Sequence, residues 1–319
     1  MSSQRIPGQE SRDPDRQAEG SRGAVDAGIS ILSRPVTIQT PVSANFGPNA
    51  LTRPVADVIL LSKDSVSFYV DEYSLLLFST NNFNGLLPIL DQGPEDRLIF
   101  LHDLHSSKLD IALQAIYKIP ATSVSATGGG NLEELELLAR GVGWLATFGI
   151  PARLVVLPYT HIFDRILSFA PLYPLVSYAI AGHHELEELA IAVSPHTLPV
   201  ELSNVTEELA EQMGVKYLRR LFRLQLDRQD ILMGLLRPEP EIHTPTQQCS
   251  LEDQRVLKTK WDMAISSLVR VVRADTTTNL IREVVTTFTS DVACENCLRA
   301  RDTRLNTILT EWSMSLRTI

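Results

Sequence analysis

Three cysteines and a few histidines are the residues of this chain whose types and spacing could support metal or thiol chemistry. Cys294 and Cys297 form a Cys-x-x-Cys pair, which occurs in zinc sites and in redox-active sites. A structural zinc ion needs four ligands, yet the remaining cysteine, Cys249, is far away in the sequence, and no histidine follows His243. We therefore interpret Cys294 and Cys297 as free thiols on a helix, and we predict neither a bound metal nor a cofactor.

The other polar patterns indicate ordinary surface or loop roles. His183 and His184 precede several glutamates, but the chain lacks the His-Glu-x-x-His spacing of zinc proteases, so a solvated helix face is predicted. Gly128-Gly129-Gly130 is not followed by the Lys-Ser or Lys-Thr of a phosphate-binding loop, which favours a flexible loop. The sequence also has no nucleophile elbow and no dinucleotide fingerprint. We therefore predict no catalytic residues and no enzymatic activity.

Composition and charge narrow the class of protein. The 319 residues include 44% apolar and 21% charged side chains, which is typical of a globular protein. A net charge of −9 without any basic segment argues against nucleic acid, because such a surface repels phosphates. The polar N-terminus, the absence of a membrane-length apolar run and the three cysteines predict a protein of the cytoplasm, the nucleus or both, without membrane contact.

The first half of the chain alternates between strand and helix patterns. Residues 58–61 and 66–70 predict two strands joined by a turn, and residues 71–87 predict an apolar helical hairpin. Residues 97–101 predict a third strand. Two further helices are predicted, one covering about residues 131–148 and one carrying a buried face at Leu109, Ala112, Leu113 and Ile116.

The second half of the chain has helical patterns only, separated by prolines. Its apolar periodicity predicts helices at about residues 175–193, 205–236, 251–272, 277–289 and 293–315. Residues 1–50 are polar and contain prolines without a sustained period, which predicts a disordered segment. The sequence therefore predicts three parts: the disordered residues 1–50, an α/β domain at residues 51–158 and a helical region at residues 159–319.

The order of the elements in the first half resembles the BTB/POZ domain, a protein–protein interaction module. Family positions in the strands are matched by Asp57, Phe68, Val70 and the run 98–101 before Asp103. Family positions in the helices are matched by Leu76, Ser79, Phe83, Tyr117 and residues 137–148. The resemblance implies a BTB/POZ domain of the α/β (α+β) class at residues 51–158.

The second half resembles a group of fungal BTB-domain proteins. These proteins combine a Pro-Leu-x-x-Tyr-Ala-Ile-Ala helix with a late Cys-x-x-Cys that precedes a tryptophan. The matching residues here are Pro174, Leu175, Tyr178, Ala179, Ile180, Ala181, Cys294, Cys297 and Trp312. The resemblance as a whole implies a BTB/POZ domain followed by an all-α C-terminal region, in a non-catalytic adaptor or scaffold.

The resemblance also implies a surface for partner proteins. The helical hairpin would form a homodimer surface or bind a partner helix, and we assign this surface to Asp57, Glu72, Leu75, Leu76, Ser79, Phe83, Leu86 and Leu87. Such a protein could bridge a cullin-type ubiquitin ligase scaffold to a substrate. It could instead be a self-associating transcriptional or structural scaffold without a ligase. A third alternative is a thiol- or zinc-dependent protein that uses Cys294 and Cys297.

One position departs from the family pattern. The family commonly has a histidine and then a lysine or arginine where this chain has Asp71 and Glu72. In some transcriptional members that basic residue faces the strand-opening acid at the dimer groove. Here Asp57 would face Glu72, and two close carboxylates disfavour the ionisation of one of them or open the pocket to water. We therefore predict that the groove is unsuited to a co-repressor and that Glu72→Lys stabilises the protein or tightens its dimer.

Overall fold

The sheet of the N-terminal half is built around one central apolar strand. The computed structural model describes residues 40–48, 54–88, 97–120 and 130–319. Strand β1 (Val58–Ser62) pairs antiparallel with β2 (Ser67–Val70) and parallel with β3 (Leu98–Leu101). Leu60 of β1 therefore lies between Phe68 and Ile99, and all three side chains are buried. The three predicted strands are confirmed with ends that differ by one residue.

Helices make up most of the described chain. The N-terminal ones are α1 (Glu72–Leu76), α2 (Asn82–Gly85), α3 (Ser106–Ile116), α4 (Leu132–Thr147), α5 (His161–Ser168), α6 (Pro174–His183) and α7 (Glu187–Val193). The C-terminal ones are α8 (Glu207–Leu236), α9 (Leu251–Val269), α10 (Thr278–Phe288) and α11 (Glu295–Met314). Short 3-10 turns cover Ala152–Leu154, Ser194–Thr197 and Leu202–Asn204. The fold is thus mixed α/β and mostly helical, which agrees with the predicted α+β class.

The predicted helical hairpin at residues 71–87 differs from the observed structure. Asp71 caps α1, because its carboxylate accepts the backbone N–H of Ser74 at 2.7 Å. The second half of the hairpin is α2, which is a single left-handed turn and not a right-handed helix, because every φ at residues 82–85 is positive. Its sequence, Asn-Phe-Asn-Gly, explains this difference, since asparagine and glycine tolerate left-handed backbone far better than other residues do.

One hydrophobic core crosses the predicted domain boundary at residue 158. It includes Leu60 and Leu113 from the first part, and Ile166, Tyr178 and Leu221 from the helices that follow. Residues 161–221 therefore pack on the same core as the sheet. A fragment that ends near residue 160 would expose this shared core, so experiments on this protein need the full chain.

Residues 40–48 join that core, although the sequence places them in a disordered segment. The Phe46 side chain is fully buried, and its ring lies 6.1 Å from the ring of Phe68 and 5.6 Å from that of Tyr117. Backbone hydrogen bonds from Ser43 and to Pro41 connect the segment to β2 at Ser67. The rest of the predicted disordered segment, at residues 1–39, 49 and 50, lies outside the described residues.

A second core holds the C-terminal helices together. Helices α8 to α11 contribute Leu232, Trp261, Ile281, Leu309 and Trp312 to it. Helix α8 also reaches the first core through Leu221 and carries a kink at Gly214, where φ is +69°. The predicted helix at residues 175–193 is divided into α6 and α7 at Glu185, which has a φ of 55°.

Candidate interaction surface and metal-ligand cluster

An arginine stands between the two carboxylates that the sequence places face to face. The backbone N–H of Glu72 donates to Asp57 Oδ1 at 2.8 Å, so the two acidic residues are indeed neighbours. Arg97, which precedes β3, donates to Asp57 Oδ2 at 2.9 Å and also to the Glu72 carboxylate. The predicted repulsion between two like charges is therefore wrong, because Arg97, which is distant in sequence, places a positive charge between the two carboxylates. Glu72→Lys is therefore no longer expected to stabilise the protein, since the new lysine would face Arg97 and repel it.

Most side chains assigned to the predicted interaction surface belong to the core. Leu75, Phe83 and Leu87 are buried, and the Phe83 ring stacks on the Phe148 ring with centroids 4.0 Å apart. The Ser79 hydroxyl donates to the Phe148 carbonyl at 2.7 Å and accepts the Phe83 N–H at 2.8 Å. The remaining two, Leu76 and Leu86, are half-buried against the same core. These residues stabilise the left-handed turn and its contact with the end of α4, and Leu75, Phe83 and Leu87 have almost no surface left for a partner.

Other apolar side chains of the same region are exposed. Tyr73 and Leu77 lie four positions apart and so share one face of α1, while Leu98 and Phe100 share the outer face of β3. Each of the four is between 43% and 73% exposed. The ion pair between Arg97 and Glu72 joins the start of β3 to the start of α1. We refer to these two exposed pairs together as the α1–β3 apolar surface.

One edge of strand β3 has no neighbour among the described strands. Its order in the sheet is β2-β1-β3, so β3 has one edge paired with β1, and no described strand pairs with its other edge. An unpaired strand edge carries backbone N–H and C=O groups that can bind a further strand. The α1–β3 apolar surface and this edge therefore provide both apolar and hydrogen-bonding contacts.

A second group of residues meets in the C-terminal helices. His243, Cys249, Cys294 and Cys297 each present one ligand atom, and the four atoms lie within 4.8 Å of one another. His243 Nε2 is 3.4 Å from the sulfur of Cys294 and 3.4 Å from that of Cys297, and Cys249 Sγ is 3.8 Å from Cys297 Sγ. The cysteines carry no disulfide. We call this group the thiol–imidazole cluster.

Three backbone features place the cluster. Cys294 caps the N-terminus of α11, and Cys297 lies in its first turn. Cys249 is held by a backbone bridge to Thr246, and the residue after it, Ser250, caps α9 through a reciprocal pair of bonds with Asp253. His243 comes from the proline-containing segment between α8 and α9. The sequence does not reveal this convergence, because Cys249 and His243 are too distant along the chain to be assigned to the Cys294–Cys297 pair.

The local environment affects the three thiols differently. The pKa of Cys294 is lowered to about 7, mainly because the backbone N–H of Cys297 hydrogen-bonds to its sulfur. Burial raises the pKa of Cys297 to about 12, and the neighbouring thiols of Cys249 and Cys294 act in the same direction. Burial likewise raises the pKa of Cys249. Buried thiols of this kind ionise only when a positive charge is supplied beside them.

The other sequence candidates do not assemble into a site. His183 is exposed at the end of α6, and His184 is half-buried beyond it, away from the thiol–imidazole cluster. Burial lowers the pKa of His184 to about 4, and His183 contributes to that shift. The first two glycines of Gly128-Gly129-Gly130 lie outside the described residues.

Among the described residues, no helix combines the length and the apolar character required to cross a bilayer. Comparison with protein-family models, with curated proteins and with solved structures finds no match for the chain.

Proposed function

We propose that the chain is a non-catalytic interaction module of the BTB/POZ type, which acts as an adaptor or scaffold. The succession of elements supports this proposal: two strands, a short capped helix, a third strand and two longer helices occur in the implied order, although the second helix of the implied hairpin is replaced by a left-handed turn. Tyr117, one of the matched family positions, hydrogen-bonds to the capping residue Asp71 through its hydroxyl group.

The observation that carries the proposal is the α1–β3 apolar surface. Large apolar side chains are exposed to water at Tyr73, Leu77, Leu98 and Phe100. Removing apolar area from water contributes about 25 cal/mol per Å², from which the entropic cost of association is subtracted. Tyrosine is also one of the residue types that contribute most to binding at protein interfaces. A surface of this composition favours a protein partner.

The partner that we propose first is a second copy of this chain. A two-fold dimer places the same patch on both protomers, so one apolar surface covers another and two β3 edges can approach. The charges beside the patch do not oppose this, since Arg97 already neutralises part of the charge of Asp57 and Glu72. The homodimer assigned to the hairpin from the sequence is thus kept, with a different set of contact residues.

Light scattering on the full-length chain tests this proposal. The protomer mass is 35.4 kDa, and we expect twice that mass at micromolar concentration. The double variant Tyr73→Asp/Leu77→Asp should run as a monomer, because two carboxylates would be buried without partners. Leu172→Asp is the matched control: Leu172 is 63% exposed, lies far from α1 in sequence, and its replacement should leave the dimer intact.

Two results would contradict the proposal. One is a wild-type chain that remains monomeric throughout the micromolar range. The other is a double variant that keeps the dimer mass while its circular dichroism stays native. A dimer that only Leu172→Asp dissociates would place the interface elsewhere on the chain.

The link to a cullin-type ubiquitin ligase rests on the family resemblance alone. It is tested by purifying the tagged full-length chain from its native cells and identifying its partners by mass spectrometry. A cullin recovered in stoichiometric amounts supports an adaptor that presents substrates to a ligase. Reproducible recovery of other proteins without a cullin would support the self-associating scaffold instead.

A further inference from the structure

We propose that the thiol–imidazole cluster binds one Zn²⁺ ion as a structural metal site of the C-terminal helical region. The four ligands are His243 Nε2 and the sulfur atoms of Cys249, Cys294 and Cys297. This site goes beyond the interaction function proposed above and does not depend on it.

Three of the six distances between ligand atoms in the cluster are close to those of a tetrahedral zinc site, and all six are within 4.8 Å. Zinc lies about 2.3 Å from a thiolate sulfur and about 2.0–2.1 Å from an imidazole nitrogen, so tetrahedral geometry separates two sulfurs by about 3.8 Å and a sulfur from a nitrogen by about 3.6 Å. The observed S–S distance between Cys249 and Cys297 is 3.8 Å, and both sulfur–nitrogen distances to His243 are 3.4 Å. A disulfide would instead bring two sulfurs to about 2.05 Å.

The imidazole of His243 is oriented as a metal ligand requires. Its Nδ1 lies 2.8 Å from the carbonyl oxygen of Thr244, so the ring proton on Nδ1 is donated to that carbonyl. The lone pair of Nε2 then points toward the sulfurs of Cys294 and Cys297. Histidine ligands of protein metal sites almost always make a second hydrogen bond of this type, because it fixes the tautomer and the ring orientation.

The donor set indicates which metal binds and what the metal does. Three thiolates and one imidazole are soft to borderline donors, which select zinc over calcium or magnesium. Four protein ligands complete the tetrahedron and leave no position for water, which is the arrangement of structural rather than catalytic zinc. Binding converts three thiols to thiolates, so up to three protons pass to the solvent when the ion enters.

The site would stabilise a segment that has little core of its own. Residues 237–250, all described by the structure, connect α8 to α9, and only Pro240 and Cys249 among them are buried. His243 and Cys249 belong to this segment, whereas Cys294 and Cys297 belong to the start of α11. One ion would therefore join the connection between α8 and α9 to α11, in addition to the small buried cluster that Cys249 and Cys297 form with Leu257.

The test begins with the unmodified sequence, expressed in full length without a histidine tag and purified without chelators. Elemental analysis should find close to one zinc per chain. Protein refolded with Co²⁺ in place of zinc should show the strong visible absorption of tetrahedral cobalt and the charge-transfer bands of cobalt–thiolate bonds. All three cysteines should resist a thiol reagent until a chelator removes the ion.

Ligand variants and a matched control locate the site. Cys249→Ser and His243→Ala should each lower the affinity for zinc at least about tenfold. His243→Cys should retain one zinc per chain, since four thiolates also form a structural site. His183→Ala, which replaces an exposed histidine outside the cluster, should leave the zinc content unchanged.

Three results would overturn the proposed zinc site. Folded wild-type protein with three reduced thiols that contains less than about a tenth of an equivalent of zinc and binds neither added Zn²⁺ nor Co²⁺ would overturn the proposal. Zinc that persists unchanged in both Cys249→Ser and His243→Ala would overturn it as well. A disulfide between Cys249 and Cys297 in protein from reducing cells, seen as the loss of two hydrogens by mass, would replace the metal site with a redox pair.

Discussion

Replacing Arg97 removes two ion pairs, and the loss of the pair with Glu72 should destabilise the protein more than the loss of the pair with Asp57. The Glu72 side chain is 16% exposed and the Asp57 side chain 47% exposed, so water screens the second ion pair much more strongly. An exposed ion pair contributes about 0–1 kcal/mol, whereas a hydrogen bond to a charged group contributes about 1.5–3 kcal/mol. We therefore expect Arg97→Gln to lower the free energy of unfolding by about 2 kcal/mol.

Double-mutant cycles separate the two contributions. Arg97→Gln is combined with Glu72→Gln in one cycle and with Asp57→Asn in the other, and the free energy of unfolding is measured by urea titration with circular dichroism. The coupling energy should be about 1–2 kcal/mol for Arg97 with Glu72 and below about 1 kcal/mol for Arg97 with Asp57. The reverse order, or a more stable protein after Glu72→Lys, would refute the account of the ion bridge.

Two further predictions concern the first core. Phe46→Ala should lower the free energy of unfolding by about 3–5 kcal/mol, because the ring is fully buried, and a loss below about 1 kcal/mol would show that residues 40–48 do not belong to the fold. His184 has its pKa lowered from 6.5 to about 4, so the folded state resists its protonation and stability falls as the pH drops below 6.5. Between pH 7 and pH 5.5 the free energy of unfolding, measured by urea titration, should fall by about 1 kcal/mol, and His184→Gln should remove this fall. The same dependence of the unfolding free energy on pH in that variant would contradict the role given to His184.

The elements that the sequence predicts correctly are those with strong local signals. The alternation around Phe68 and the helical spacing from Leu109 to Ile116 reflect side chains that must face one core. Caps are equally local, since aspartate and asparagine favour helix N-termini: Asp71 caps α1, and the Asn131 side chain accepts the N–H of Glu134 at the start of α4. These signals need no knowledge of distant parts of the chain.

The differences arise where distant contacts or special backbone decide the outcome. Phe46 is a single aromatic residue in a polar segment, and only the approach of Phe68 and Tyr117 shows that it is buried. The left-handed turn at residues 82–85 could have been suspected from its asparagines and glycine, yet its leucine and phenylalanine neighbours favour a helix. Arg97 was missed because pairing between β1 and β3 is needed to bring it to Asp57.

The thiol–imidazole cluster likewise depends on contacts between residues that are distant in sequence. Cys294 and Cys297 are visible as a pair, but Cys249 and His243 reach them only when the connection between α8 and α9 meets the start of α11. One signal was present in the sequence: all three cysteines and one histidine fall within residues 243–297, which supplies the four ligands of a zinc site.

The central claim is that the α1–β3 apolar surface joins two copies of this chain. Native mass spectrometry of the full-length protein, sprayed from a volatile buffer at neutral pH, tests it most directly because it reads the number of chains in one complex. We expect a species of two protomers of 35.4 kDa each, which Tyr73→Asp/Leu77→Asp converts to single chains. Single chains of the wild-type protein at every concentration would contradict the claim. One zinc ion bound to each single chain would then support the metal site independently of the dimer.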